Sequence, residues 1–152
     1  MAGLDLVSIQ DSIATYVRAQ FPAYEVYEDY VLNDEELLKV DNKVKPYLVI
    51  SWDGLSRSAR NASFAGVRFD EYSSGFSIGV IAPAPRQCRR AMNIIFDKLV
   101  GYSPDGVGYL TPSNSFGTFV VSERNGVPHL YMSMADFTFP MNADDPGANI
   151  TP

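Results

Sequence analysis

Pro46-Tyr47-Leu48-Val49-Ile50-Ser51-Trp52-Asp53-Gly54 is the stretch that decides the class of fold. A proline just ahead of an aromatic and aliphatic run suits the start of an extended segment, and Asp-Gly suits its end. Between them Leu48, Ile50 and Trp52 fall on one face and Tyr47, Val49 and Ser51 on the other, which predicts a strand. Beyond it, Leu55 to Ser63 places Arg57 and Arg60 among Ser, Ala and Asn without periodicity and reads as an exposed loop. Gly66 to Tyr72 and Phe76 to Ala82 then predict a hairpin that turns at Ser73-Ser74-Gly75, its second arm alternating as Phe76, Ile78, Val80.

Ala82-Pro83-Ala84-Pro85 opens the clearest helix. Proline is tolerated in a first turn because its missing N–H has no helical partner there. Cys88, Ala91, Met92, Ile95 and Leu99 form one apolar stripe, Gly101 is placed for the C-terminal cap, and Arg86, Arg89 and Arg90 lie off the stripe. Tyr102 to Ser115, rich in Gly, Pro and Ser, reads as a loop. Phe116 to Ser122 and Leu130 to Phe139 flank an Asn125-Gly126 turn and predict an antiparallel hairpin.

On the N-terminal side, Leu6, Ile9, Ile13 and Tyr16/Val17 recur at helical spacing, which predicts a helix over residues 5–20, capped by Asp5 or Ser8 and stopped by Pro22. A short strand at Tyr24 to Tyr27 follows. Asn33-Asp34-Glu35-Glu36 ahead of Leu37 and Leu38 suits a brief capped helix and a solvated loop equally well. The element order predicts an α+β fold: a single domain over residues 1–140, a mainly antiparallel sheet with two helices packed on one face. A polar C-terminal tail occupies residues 141–152.

Composition narrows the function. With 12 basic and 18 acidic residues the net charge is −6, the wrong sign for a protein that grips phosphates. One cysteine excludes an internal disulfide and a cysteine-based zinc site. No apolar run is long enough to span a bilayer and no leader pattern stands at the start, so the expectation is a soluble chain made in the cytoplasm. The only histidine, His129, follows Pro128 at a strand start and reads as a surface residue without a partner. Cys88 falls on the apolar stripe and reads as a buried thiol. Asp70 and Glu71, adjacent on a strand, face opposite ways, and Gly101, Gly106 and Gly108 lack the Lys-Ser/Thr of a phosphate loop. These residues predict no catalytic, cofactor-binding or metal site, hence no enzyme and no cofactor.

The succession of a helix ending near Phe21-Pro22, the Lys45-to-Trp52 strand, Gly66-Val67-Arg68-Phe69-Asp70-Glu71-Tyr72, the strand ending Val80-Ile81-Ala82-Pro83, and a helix closing on Leu99-Val100-Gly101-Tyr102-Ser103-Pro104 resembles tail terminator (tail completion) proteins of long-tailed bacteriophages, particularly those of actinobacteria. It runs over roughly residues 5 to 139 as an overall pattern, without a catalytic signature. The resemblance implies a structural virion protein of the tail or neck. It would form a homohexameric ring that caps the tail tube protein, stops tube polymerisation and meets the head connector or stopper protein. It implies no enzyme activity and no cofactor. Another neck or baseplate adaptor is the alternative within virion structure, and a small cytoplasmic enzyme the alternative outside it.

A ring needs two different complementary faces on each subunit. The arginines at 57, 60, 68, 86, 89 and 90 suit such a surface or an ordinary solvated one. The interface candidates are Arg57, Arg60 and Arg68 against Asp34, Glu35 and Glu36. Six copies would carry about −36, a lumen that lets DNA slide through without specific binding.

Overall fold

The computed structural model describes residues 5–33, 36–37, 39–40, 43–64, 67–104 and 108–141. Helix α1 spans Leu6–Gln20. Its N-cap is Asp5, whose carboxylate accepts the Ser8 N–H at 3.1 Å and the Ser8 hydroxyl at 2.7 Å, so both residues anticipated as caps take part. Ile13, Ala14 and Val17 are its buried face. Strand β1 (Glu25–Glu28) follows, then a short hairpin of β2 (Lys39–Val40) and β3 (Lys43–Val44) that the sequence did not announce. The expected helix or loop after Asn33 falls largely outside the described residues, but Asn33 and Glu36 are joined across it. The Glu36 N–H donates to Asn33 Oδ1 at 3.1 Å and Glu36 Oε1 accepts the Asn33 N–H at 3.2 Å, the reciprocal pairing of a capping box.

Strand β4 is the expected Tyr47–Trp52. Strands β5 (Ser56–Phe64) and β6 (Val67–Ala82) correct two readings. The segment anticipated as a loop is a strand paired with the outer part of β6 from Ser56↔Ser73 to Phe64↔Val67. It shows no apolar alternation, because a strand held by its main-chain ladder does not need one. The anticipated turn at residues 73–75 lies inside a continuous strand of 16 residues. Gly75 is needed there for close approach: a methyl on it would overlap the Phe137 carbonyl oxygen of the neighbouring strand. Ser74, buried beside it, donates its hydroxyl toward the Gly54 carbonyl at 3.0 Å.

Helix α2 covers Pro85–Leu99 with its proline in the first turn. Val100 is the C-cap and Gly101 takes φ +84°, the left-handed position that follows it. Strands β7 (Thr111–Arg124) and β8 (Val127–Pro140) form the long hairpin, with Asn125 and Gly126 both at positive φ as a type I′ turn requires. β7 starts five residues earlier than anticipated and shortens the expected loop.

The sheet order is β1-β4-β6-β8-β7, with β1 parallel to β4 and the other pairs antiparallel. Ser73 pairs with Ser56 on one side and Pro140 on the other, so β4 and β5 run in succession along the same side of β6. Both helices pack on one face. Ile13, Val17, Cys88, Ile95 and Leu99 close over Leu48, Ile50, Phe76, Ile78, Val80, Phe137 and Phe139. Tyr16 stacks on Tyr102 with ring centroids 3.6 Å apart and donates its hydroxyl to the Lys98 carbonyl at 2.8 Å, which ties α1 to the end of α2. On the opposite face a smaller cluster gathers Leu37, Val44, Tyr47, Val49, Ile81 and Leu130. The two-layer α+β architecture is therefore the anticipated one. Met141, read as the start of the polar tail, is fully buried and belongs to the domain, since its thioether finds the core that the tail's polar composition hid. The rest of the tail lies outside the described residues.

Candidate interaction surface

Cys88 is fully buried on α2, its Sγ 3.4 Å from the Tyr131 carbonyl oxygen, and burial pushes its thiol above the ordinary range. His129 is half-buried in β8 rather than on the surface, because β8 begins before it and carries it into the sheet; its Nε2 is enclosed and meets no hydrogen-bond partner among the described residues. Asp136 accepts the Ser77 hydroxyl at 2.5 Å. Among the described residues no group of three or more His, Cys, Asp or Glu is placed to hold a metal ion, and no helix is long and apolar enough to cross a membrane.

The six interface candidates are distributed as follows. Arg57 and Arg60 stand in β5 and Arg68 in β6: Arg57 pairs with Tyr72, Arg68 pairs with Ser63, and Arg60 falls where the register shifts. All three belong to the β5–β6 ribbon beyond the core part of the sheet. Asp34 and Glu35 lie outside the described residues. Glu36 is engaged within its own segment, accepting hydrogen bonds from the Tyr30 hydroxyl and the Asn33 N–H. That first contact also raises the Tyr30 phenol above its usual range.

A different surface emerges at the other end of the sheet. β7 is the edge strand, and nearly every side chain from Thr111 to Val121 is exposed. Phe116, Phe119, Val120 and Val121 stand 41–49% exposed, four large apolar side chains within six residues of one edge. Phe116 pairs with Met134 and Phe119 with Met132, and cross-strand partners share a face, so this band continues onto two half-buried methionines of β8. Several register shifts interrupt β7, and such bulges discourage an edge from indiscriminate pairing.

Alongside runs a groove of about 510 Å³ between α2 and β7. Arg86, Arg89 and Arg90 line it from the helix, residues 115–118 from the strand and Ser133 from β8. Positions i, i+3 and i+4 share a helix face, which is why the three guanidinium groups converge. Ser133 is buried and its hydroxyl meets that of Thr118 at 2.8 Å. The arginine spacing was visible in the sequence. The facing wall was not, because residues 111–115 read as loop and the exposed apolar residues of β7 read as an ordinary strand face.

At the opposite edge, β1 exposes Glu25 and Glu28, with Asp29 just beyond. Arg18 bridges to Glu28 at 3.2 Å and donates to the Val26 carbonyl at 3.1 Å; Asp29 accepts the Trp52 N–H at 3.0 Å. The two ends of one sheet thus differ in sign.

No family model and no curated protein matches the chain. Among solved structures, one aligns over 90% of this chain and 92% of its own length with a TM-score of 0.46 and 12% identity, a likeness too slight to carry an argument.

Proposed function

We propose that the protein is a tail terminator of a long-tailed bacteriophage, a ring-forming virion component that caps the tail tube and meets the head connector. The observation that carries this reading is the exposed apolar band on β7, Phe116, Phe119, Val120 and Val121. Large apolar side chains concentrated at one edge of a small domain mark a surface that a protein partner covers. The resemblance of residues 5 to 139 to tail terminators supplies the identity of the assembly, and the dissimilar sheet edges suit the heterologous contacts of a ring. The reading gives the protein no catalytic role.

The test is complementation. A phage with this gene disrupted should make tails of uncontrolled length that fail to join heads, and the purified protein should restore joining and appear as a ring at the tube end by cryo-electron microscopy. Tails of normal length without the protein, or a ring located at the baseplate, would overturn the terminator role. The His129→Ala variant should complement fully, and its failure with intact tails would favour an enzyme.

A further inference from the structure

The arginine groove meets no counter-charge among the described residues. Arg86, Arg89 and Arg90 are exposed and make no ion pair among the described residues, and no carboxylate lines the groove. The net charge of −6, less these three positive charges, leaves −9 over the rest of the molecule. A complementary surface on the same sheet is the β1 edge with Glu25, Glu28 and Asp29, where Arg18 is the one cation in contact among the described residues. Four strand spacings of about 4.8 Å separate β1 from β7, roughly 19 Å, so the two surfaces cannot meet inside one copy. Between copies they can.

We propose that copies of this chain join head to tail, the arginine groove between α2 and β7 of one copy receiving the β1 edge of the next. The contact deepens the ring reading and its biological use rests on it. Guanidinium forks engage the carboxylates of residues 25, 28 and 29, while the Ser115-to-Thr118 stretch of β7 forms the facing wall. Joining two unlike edges of one sheet is heterologous, so it closes into a ring when the rotation permits. A nucleic acid is the poorer occupant: the surrounding −9 repels phosphates, and the strand wall of the groove is partly apolar.

Charge swaps test the contact. Sedimentation of the wild-type chain should show self-association that weakens with added salt. The groove variant R86E/R89E/R90E and the edge variant E25R/E28Q, each checked for folding by circular dichroism, should each self-associate about tenfold or more weakly. Mixed in equal amounts, they should assemble again as an alternating species, because each reversed groove now faces a reversed edge.

Variants that assemble like wild type, or a mixture that stays apart, overturn the contact and leave the ring reading standing. A wild-type chain that remains monomeric to millimolar concentration also overturns it, while tail complementation judges the terminator role separately. Retention of a double-stranded DNA fragment that is lost in the groove variant, with self-association unchanged, would make the groove a phosphate site.

Discussion

At the β1 end of the sheet α1 lies over the strands: Val26 is buried, Arg18 reaches across to Glu28 and the Val26 carbonyl, Glu28 also accepts the Trp52 indole N–H, and Asp29 accepts the Trp52 main-chain N–H. At the β7 end α2 leaves a groove, and Phe116, Phe119, Val120 and Val121 remain 41–49% exposed. The same hydrophobic effect acts at both. At β1 the chain itself supplies the covering helix. At β7 it does not, and those side chains stay exposed. Strand β1 is thus covered and strand β7 open, an asymmetry that would suit the proposed head-to-tail contact.

Substitutions probe this contrast through folding stability. Phe137→Ala, at the centre of the helix-covered face between Phe76 and Phe96, should cost about 3–5 kcal/mol by urea denaturation. A loss under about 1 kcal/mol would mean that face is not the principal core. Gly75→Ala should cost about 1–3 kcal/mol, because β6 and β8 must separate around the new methyl. Neutrality there would show the strands part easily.

pH separates the two faces more finely. Burial raises the Tyr47 phenol above its ordinary 10.0 on one face and the Cys88 thiol above its ordinary 9.0 on the other. The unfolded chain releases these protons first, so stability should be level below about pH 9 and fall as pH climbs toward the folded values. Tyr47→Phe should flatten the upper part of that decline and Cys88→Ala the lower, read from denaturation midpoints across the alkaline range.

The smallest effect on folding belongs to β7. Phe116→Asp with Phe119→Asp should change stability by no more than about 0.5 kcal/mol, as for exposed positions elsewhere. The same pair should abolish ring formation by native mass spectrometry. A large loss of stability would instead make β7 part of the core.

Periodicity recovered the elements that bury a face. The β4 alternation, the α2 stripe, the α1 stripe and the Asn125-Gly126 turn all appear where the residues placed them, because apolar spacing and positive-φ residues are local signals. It failed for β5, whose pairing is main-chain, and at Ser73-Ser74-Gly75, where turn-forming residues serve a close strand approach. The site was less legible. Arginines at 57, 60, 68, 86, 89 and 90 look alike in sequence, and nothing in their spacing announces that Arg86, Arg89 and Arg90 face a wall of β7.

By itself, then, the sequence determined an α+β chain with two amphipathic helices, a net charge of −6 and a lone thiol on an apolar helix stripe. The tertiary structure decided which strands became edges, and so which apolar residues stayed uncovered. Edges follow from long-range pairing order, to which local periodicity is blind. β8 has a hydrogen-bonded neighbour on each side while β7 has one, so Phe116, Phe119, Val120 and Val121 stay exposed.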